Sequence, residues 1–414
     1  MFGIDVDDAM MKQPLRQLAQ FDVTTFINEY WQKKPLLIRQ GLPHWENAIS
    51  PEELAGLSLE EEVESRIVTQ TETESWQLEH GPFEESRYSA LGDSHWSLLV
   101  QAVDKHVSSL AILLDYFTFI PSWQIDDVMV SFATKGGGVG PHFDRYDVFL
   151  IQGQGQREWQ LGKFCDSETV LNNVNGLMQL PNFESQTSYI LEPGDILYVP
   201  PYLSHLGTSL DNECMTYSVG FRSPALSDLV DDFATFLQTQ LTEDERLQAP
   251  LVALNNSANG AIDSTTIALF KAQITALMDD EKRLSKWLGC WATLPKRSAM
   301  EIETQLASDQ EIETIWKQLM SIDVLLIRSS AARFHYIEAN ANNPTFTFFS
   351  NGREVDIGRN DETLLASIKQ VCNSRSFSSQ LLAPWSTNKS LREVIADSIL
   401  AGTIYGEEFN FYNE

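Results

Sequence analysis

The chain has 414 residues, 43% of them apolar and 21% charged, a composition that suits two or three folded domains and excludes a disordered chain. Asp and Glu number 58 against 29 Lys and Arg, and the resulting net charge of −29 repels nucleic acid and anionic membranes while favouring a basic partner. No run approaches the ~18 apolar residues of a membrane span, MFGIDVDDAMM lacks the order of a secretory signal, and the scattered Cys165, Cys214, Cys290 and Cys372 form no CxxC, so the expectation is a cytoplasmic protein with reduced thiols and no thiolate zinc site.

In chain order, TTFINEYWQKKPLLIRQGLP (24–43) reads as a helix leading into a first strand, with Leu36, Leu37 and Ile38 entering the core. From about 120 to 222 the texture is short strands broken by Gly and Pro. IDDVMVSF (125–132) puts Val128, Val130 and Phe132 on one face and Asp127, Met129 and Ser131 on the other. VFLIQG, REWQLG, TSYILEPGDILYVPP and CMTYSVGF continue the pattern, which predicts a sandwich or barrel.

From Pro224 the period becomes helical. Leu226, Leu229, Val230, Phe233, Phe236 and Leu237 form one stripe; Ile267, Phe270, Ile274, Leu277 and Met278 form another; the breaker-rich ALNNSANGAIDSTT lies between them. Such stripes pack on their own domain or on a second subunit. After about 300, IETIWKQLMSIDVLLI reads as helix, RFHYIEA–NANNP–TFTFFSNGREVDI as a hairpin, and DETLLASIKQVC and SLREVIADSILAGTIYG as helices again. Helices with a β-wing predict a winged-helix-like module. Residues 331–414 carry seven Lys and Arg against ten Asp and Glu, a balance that argues against a DNA-binding face. The division expected is 1–222, 223–295 and 296–414.

Two of the seven histidines stand in informative places. In GGGVGPHFDRYDVF, His142 and Asp144 are two apart and would share a strand face. In LEPGDILYVPPYLSHLG, Gly194 and Asp195 make a turn, ILYV a strand, and Pro200 and Pro201 a rigid corner that delivers His205. A barrel brings such distant strands together. Two histidines and a carboxylate form the facial triad of Fe(II) oxygenases, which leaves positions open for a co-substrate and oxygen. If the co-substrate is 2-oxoglutarate, its far carboxylate needs a cation. Arg157 sits in GQGQREWQLG with Trp159 and Leu161 at period two, on a face that points inward. The run Gly136–Gly138 has neither the GK[ST] of a phosphate loop nor a following helix, and reads as a flexible turn before His142.

KGGGVGPHFDRYDVFLIQGQGQREWQL followed by LEPGDILYVPPYLSHLG resembles the JmjC, cupin-fold 2-oxoglutarate oxygenases, and more narrowly the bacterial ribosomal oxygenases. WQKKPLLIR, ISPEELAGL, SRIV, HGPFEE and HWSLLVQAVD fit the same family. The resemblance implies an α+β chain: a double-stranded β-helix (cupin/JmjC jelly-roll) catalytic domain, a helical dimerisation segment and a winged-helix-like C-terminal domain. It implies Fe(II) at His142, Asp144 and His205, with 2-oxoglutarate and O2 as co-substrates and Arg157 holding 2-oxoglutarate, helped by Ser131. It also implies hydroxylation of an arginine β-carbon in ribosomal protein sixteen of the large subunit, a basic partner, by a homodimer. Asp127 and Tyr146, with Met129 beside them, match the family's substrate-arginine positions; a carboxylate pairs with guanidinium and a ring stacks on it.

Other readings remain open on the residues alone. A cupin metalloenzyme without co-substrate would not require Arg157. A JmjC hydroxylase acting on histidine or another basic protein, or a demethylase, would use the same iron site. A winged-helix regulator with a ligand-sensing cupin would need a DNA-binding face.

Overall fold

A computed structural model describes residues 16–70, 76–247, 260, 262–294, 306–341, 343–358 and 361–406. MFGIDVDDAMM, most of the ALNNSANGAIDSTT stretch and the expected boundary at 295/296 lie outside the described residues.

Two antiparallel sheets carry the first half of the chain. The strands are β1 (Leu36–Ile38), β2 (Ser65–Gln70), β3 (Trp76–His80), β4 (Trp96–Val100), β5 (Ile125–Ala133), β6 (Asp147–Gln154) and β7 (Arg157–Phe164), then β8 (Asn172–Val174), β9 (Leu177–Gln179), β10 (Thr187–Leu191), β11 (Ile196–Val199), β12 (Leu203–Ser209) and β13 (Cys214–Phe221). The larger sheet has the order β1-β11-β6-β13-β5-β4-β2-β3; the smaller is β10-β7-β12. Between them Val148 and Leu150 of β6 and Leu197 and Val199 of β11 meet Trp159, Leu161, Leu191 and Leu203 in one apolar cluster. This interior is the lumen in which the site lies.

The outer face of the larger sheet packs on the N-terminal segments: α1 (Val23–Thr25) with a π-helical turn over Phe26–Tyr30, α2 (Pro51–Leu57), α3 (Glu85–Ser89) and α4 (Ser108–Leu113). Val128, Val130, Phe149, Ile151, Tyr198, Tyr217 and Phe221 point into that layer and join Phe26, Phe117 and Leu54. Each such side chain contributes about 1.5–3 kcal/mol of burial. The alternation read in 125–132 is therefore real, but both faces are covered: Val128 and Val130 face the helical layer, while Asp127 and Ser131 are equally buried toward the lumen. Phe132 is only half-buried, against Trp96.

Three helices follow, α5 (Leu226–Gln240), α6 (Ser264–Met278) and α7 (Glu281–Thr293), and then a C-terminal body with its own core. That body holds α8 (Asp309–Ser321), β14 (Leu325–Arg328), β15 (Phe334–Ile337), β16 (Thr347–Ser350), β17 (Arg353–Val355), α9 (Glu362–Asn373), β18 (Ser376–Ser378), α10 (Lys389–Leu400) and β19 (Ile404–Gly406). The expected hairpin is the meander β15-β16-β17. A second sheet, β18-β14-β19, departs from the sequence reading. IETIWKQLMSIDVLLI is helical only to Ser321; Val324, Leu326 and Ile327 bury as strand and loop. SLREVIADSILAGTIYG leaves its helix at Leu400, turns at Gly402 with φ +65, and ends in β19. A continuous apolar run of a few residues carries no period that separates strand from helix. No described helix is long and apolar enough to cross a membrane, and all four cysteines are free thiols.

Candidate metal and substrate site

The segment bearing His142 and Asp144 is not a regular strand, contrary to the sequence reading. It is an irregular stretch before β6, fastened to β12 by a single bridge between His142 and His205. The Tyr202 amide adds a bond of 2.6 Å to the Asp144 carbonyl. The alignment of side chains survives because the bridge, not the pleat, fixes it. The glycine run before it is tightly packed rather than free: a Cβ on Gly138 would run into the Gly207 carbonyl oxygen, and Gly140 has φ +81.

Each histidine turns Nδ1 to a nearby carbonyl, His142 to Gly140 and His205 to Leu203, both at 2.9 Å. This leaves both Nε2 atoms directed at Asp144, whose Oδ2 lies 3.9 Å from His142 Nε2 and 3.5 Å from His205 Nε2. Ligands around an octahedral ion with ~2.1 Å bonds sit about 3 Å apart, and the three donor atoms already lie within 4.8 Å of one another. Burial, with His142 alongside, pushes His205 down to about 4, so its imidazole is neutral and offers a lone pair. Among the described residues these three are the only cluster of such donors.

Arg157 opens β7 and is 5% exposed. Its Nε reaches Cys214 Sγ at 3.5 Å, its guanidinium lies 5.7 Å from the Trp159 ring, and its Nη2 is buried with no hydrogen-bond partner. The Trp159 indole N–H is likewise unpartnered, and Trp159 stands 5.9 Å from His205. Unmet buried donors are costly and point to a missing acceptor. The unpartnered Nη2 of Arg157 and the open donor triad together fit a dicarboxylate that reaches from metal to arginine. Ser131 is buried on β5, its hydroxyl 3.5 Å from the Thr216 carbonyl, one strand from Cys214 and so beside this place.

Asp127 and Tyr146 meet in a cavity of about 780 Å³ that also includes Gln101, Arg222, Trp291 and Arg333. Asp127 Oδ2 accepts from Gln101 Nε2 at 2.7 Å and from the Ala102 amide at 3.1 Å. Burial and the neighbouring Asp104 push its carboxyl up to about 6. Tyr146 is pushed far above its ordinary value by burial and by the neighbouring Asp144 carboxylate. Arg222 pairs with Asp126 at 3.2 Å and lies 5.8 Å from the Tyr146 ring. Met129 does not line the cavity; its sulfur takes a long 3.8 Å contact from Arg66, which does. Sequence reasoning missed the opposite wall, where α5 presents Asp228, Asp231 and Asp232. The signal was the DLVDDF run, absorbed into the apolar stripe of the same helix.

A JmjC domain family profile matches residues 112–229. The chain is 46% identical over 217 residues to the Escherichia coli ribosomal protein uL16 3-hydroxylase, covering 52% of this chain and 57% of that protein. It is 42% identical over 207 residues to a probable ribosomal oxygenase of Haemophilus influenzae, covering 50% and 51%. These alignments span about half the length of both relatives. The whole fold superposes on the crystal structure of E. coli YcfD with a TM-score of 0.81 at 30% identity, covering 94% of this chain and 99% of that one. A further YcfD structure, described as a ribosomal oxygenase in complex with cobalt and 2-oxoglutarate, matches with a TM-score of 0.77 at the same identity and coverage.

Proposed function

The chain belongs to the JmjC-domain ribosomal oxygenases, and from that premise we propose that it is a 2-oxoglutarate-dependent Fe(II) oxygenase that hydroxylates the β-carbon of an arginine in uL16, a protein of the large ribosomal subunit. The observation that carries the reading is the pairing of an open His142–Asp144–His205 donor set with the unpartnered, buried Nη2 of Arg157 in one lumen.

In this reading His142, Asp144 and His205 hold the metal, and Arg157 takes the far carboxylate of 2-oxoglutarate with Ser131 beside it. Bound iron and 2-oxoglutarate supply the oxidising chemistry that exchanges a C–H for a C–OH with O2. The protein's own residues bind and orient. Gly140 and Leu203 carbonyls keep the imidazoles in the tautomer that presents Nε2. Tyr146, buried beside Asp144 at the cavity, gives a substrate side chain a ring to lie against. Asp127 offers a carboxylate to a guanidinium. The apolar shell of Trp159, Leu161 and Leu203 limits water at the reacting centre. Carboxylates of Glu64, Asp126, Asp228, Asp231 and Asp232 around the same cavity favour a cationic client.

The uncovered apolar side chains of the helical segment support a homodimer. Leu226 and Val230 of α5 and Ile267, Phe270 and Ile274 of α6 are all at least half exposed. An apolar patch of that kind marks a partner surface. The C-terminal body, with its three helices and β15–β17 meander, supports a winged-helix-like domain, and its acidic balance supports a role other than DNA binding. The division 1–222, 223–295 and 296–414 is consistent with the separate cores of the two ends. A cytoplasmic location fits a ribosomal client. The test is iron-loaded full-length protein with 2-oxoglutarate and purified uL16, read by mass spectrometry of the product.

A further inference from the structure

Arg333 belongs to the C-terminal body by sequence, yet its guanidinium is spent on the rest of the molecule. It stands one residue before β15 and is 7% exposed. Its Nη2 donates to the Ile125 carbonyl at 2.7 Å, and its Nη1 to the Ala292 carbonyl at 3.4 Å. Ile125 is the first residue of β5, two before Asp127. Ala292 lies in the last turn of α7, next to Trp291, whose ring meets Trp123 at 6.3 Å. Trp123, Asp127, Trp291, Ala292 and Arg333 all line the acidic cavity. Three separate parts of the chain thus converge on one guanidinium at the wall of the substrate chamber.

Both acceptors are main-chain carbonyls. Desolvating a buried cation is costly, and the two carbonyls together with the nearby Asp104 and Asp126 offset part of that cost. An apolar replacement would leave both carbonyls without this donor, so the fork serves the fold as well as the chamber. Its field is also of the wrong sign for a chamber that receives a cation. What the planar fork does supply is two directed bonds that fix the angle between the start of β5 and the end of α7.

We propose that Arg333 is a positioning residue for substrate: the C-terminal body uses it to hold β5 against α7, and so sets the distance between Asp127 and the Trp123–Trp291 wall. This rests on the reading of the cavity as the seat of a basic side chain. The 2-oxoglutarate half of the site is less directly tied to it: Arg157 sits on β7 of the smaller sheet, and Ser131 lies six residues along β5 from the carbonyl that Arg333 holds.

Two effects of opposite sign separate the possibilities. Removing the charge alone would tighten binding of a cationic client; removing the clamp would weaken it. The experiment uses full-length Arg333→Met and Arg333→Lys proteins with Fe(II), 2-oxoglutarate and uL16. Arg333→Met is expected to raise the KM for uL16 at least ~10-fold while leaving the KM for 2-oxoglutarate within about twofold. Arg333→Lys, which keeps the charge and reaches one carbonyl, should fall between. Amide exchange, which needs no substrate, should quicken at 124–128 and in the last turn of α7 but not around His142 and His205. An unchanged or lowered KM for uL16, or a rise shared equally with 2-oxoglutarate, would overturn the proposal, as would unchanged exchange at 124–128. If wild-type protein does not turn over uL16 yet exchange responds as described, the client reading fails and the clamp itself stands.

Discussion

His142 and His205 are 63 positions apart in sequence and hold one another by the backbone: the amide of each donates to the carbonyl of the other, at 3.0 and 2.8 Å. Their rings lie 4.3 Å apart, centroid to centroid. This reciprocal bridge lets an irregular segment and a strand of the smaller sheet present two imidazoles to one carboxylate.

Because both imidazoles and Asp144 are needed to complete the donor set, His205→Ala or Asp144→Asn should abolish stoichiometric iron binding. Loss of an indirect metal partner typically costs 10–100-fold, and loss of a direct ligand should exceed about 100-fold in activity. Metal content after dialysis and product yield under excess iron are the measurements. Full activity at low iron in either variant would remove these residues from the site.

Arg157→Lys keeps a positive charge but loses the fork. Two charge-assisted bonds reduced to one should raise the KM for 2-oxoglutarate by roughly 10–100-fold, with iron affinity unchanged. Steady-state kinetics in 2-oxoglutarate, with metal titration alongside, check the split. A cupin enzyme without co-substrate would show no such rise.

The carboxyl of Asp127 gives a pH dependence with a definite sign. Its folded value of about 6 lies above the ordinary 3.8, so the folded state favours the protonated form. The stability it confers is present below about 4 and is lost as pH rises through about 6, a difference of roughly 3 kcal/mol at most. Asp127→Asn should therefore gain stability relative to wild type between pH 4 and 7, followed by thermal unfolding. A cationic substrate needs the ionised form, so wild-type affinity for uL16 should rise across the same interval and that of the Asn variant should stay flat.

If the exposed apolar faces of α5 and α6 meet a second copy, Ile267→Glu with Phe270→Glu should turn a dimer into a monomer. Light scattering coupled to size exclusion reads the change directly. Without a second copy, side chains that are 59% and 50% exposed leave an uncovered apolar surface in water.

The donor cluster and the buried arginine were legible in the sequence because they involve few residue types at revealing places. His142 and Asp144 follow a glycine run, His205 follows a proline corner, and Arg157 shares its period with Trp159 and Leu161. The acidic chamber was less legible. Asp228, Asp231 and Asp232 belong to a helix whose apolar stripe dominates its pattern, and nothing in the period says which turn faces a cavity. Arg333 is invisible to pattern reading, since its partners are carbonyls 208 and 41 positions away. The second C-terminal sheet escaped notice because β14, β18 and β19 are three or four residues long.

The most direct measurement of the central claim is the mass of uL16 after incubation with the iron-loaded protein, 2-oxoglutarate and O2, fragmented to locate any change. The account predicts one added oxygen on a single arginine, in wild type and not in His142→Ala. Consumption of 2-oxoglutarate with uL16 left unmodified, or an oxygen placed on a residue other than arginine, would contradict it.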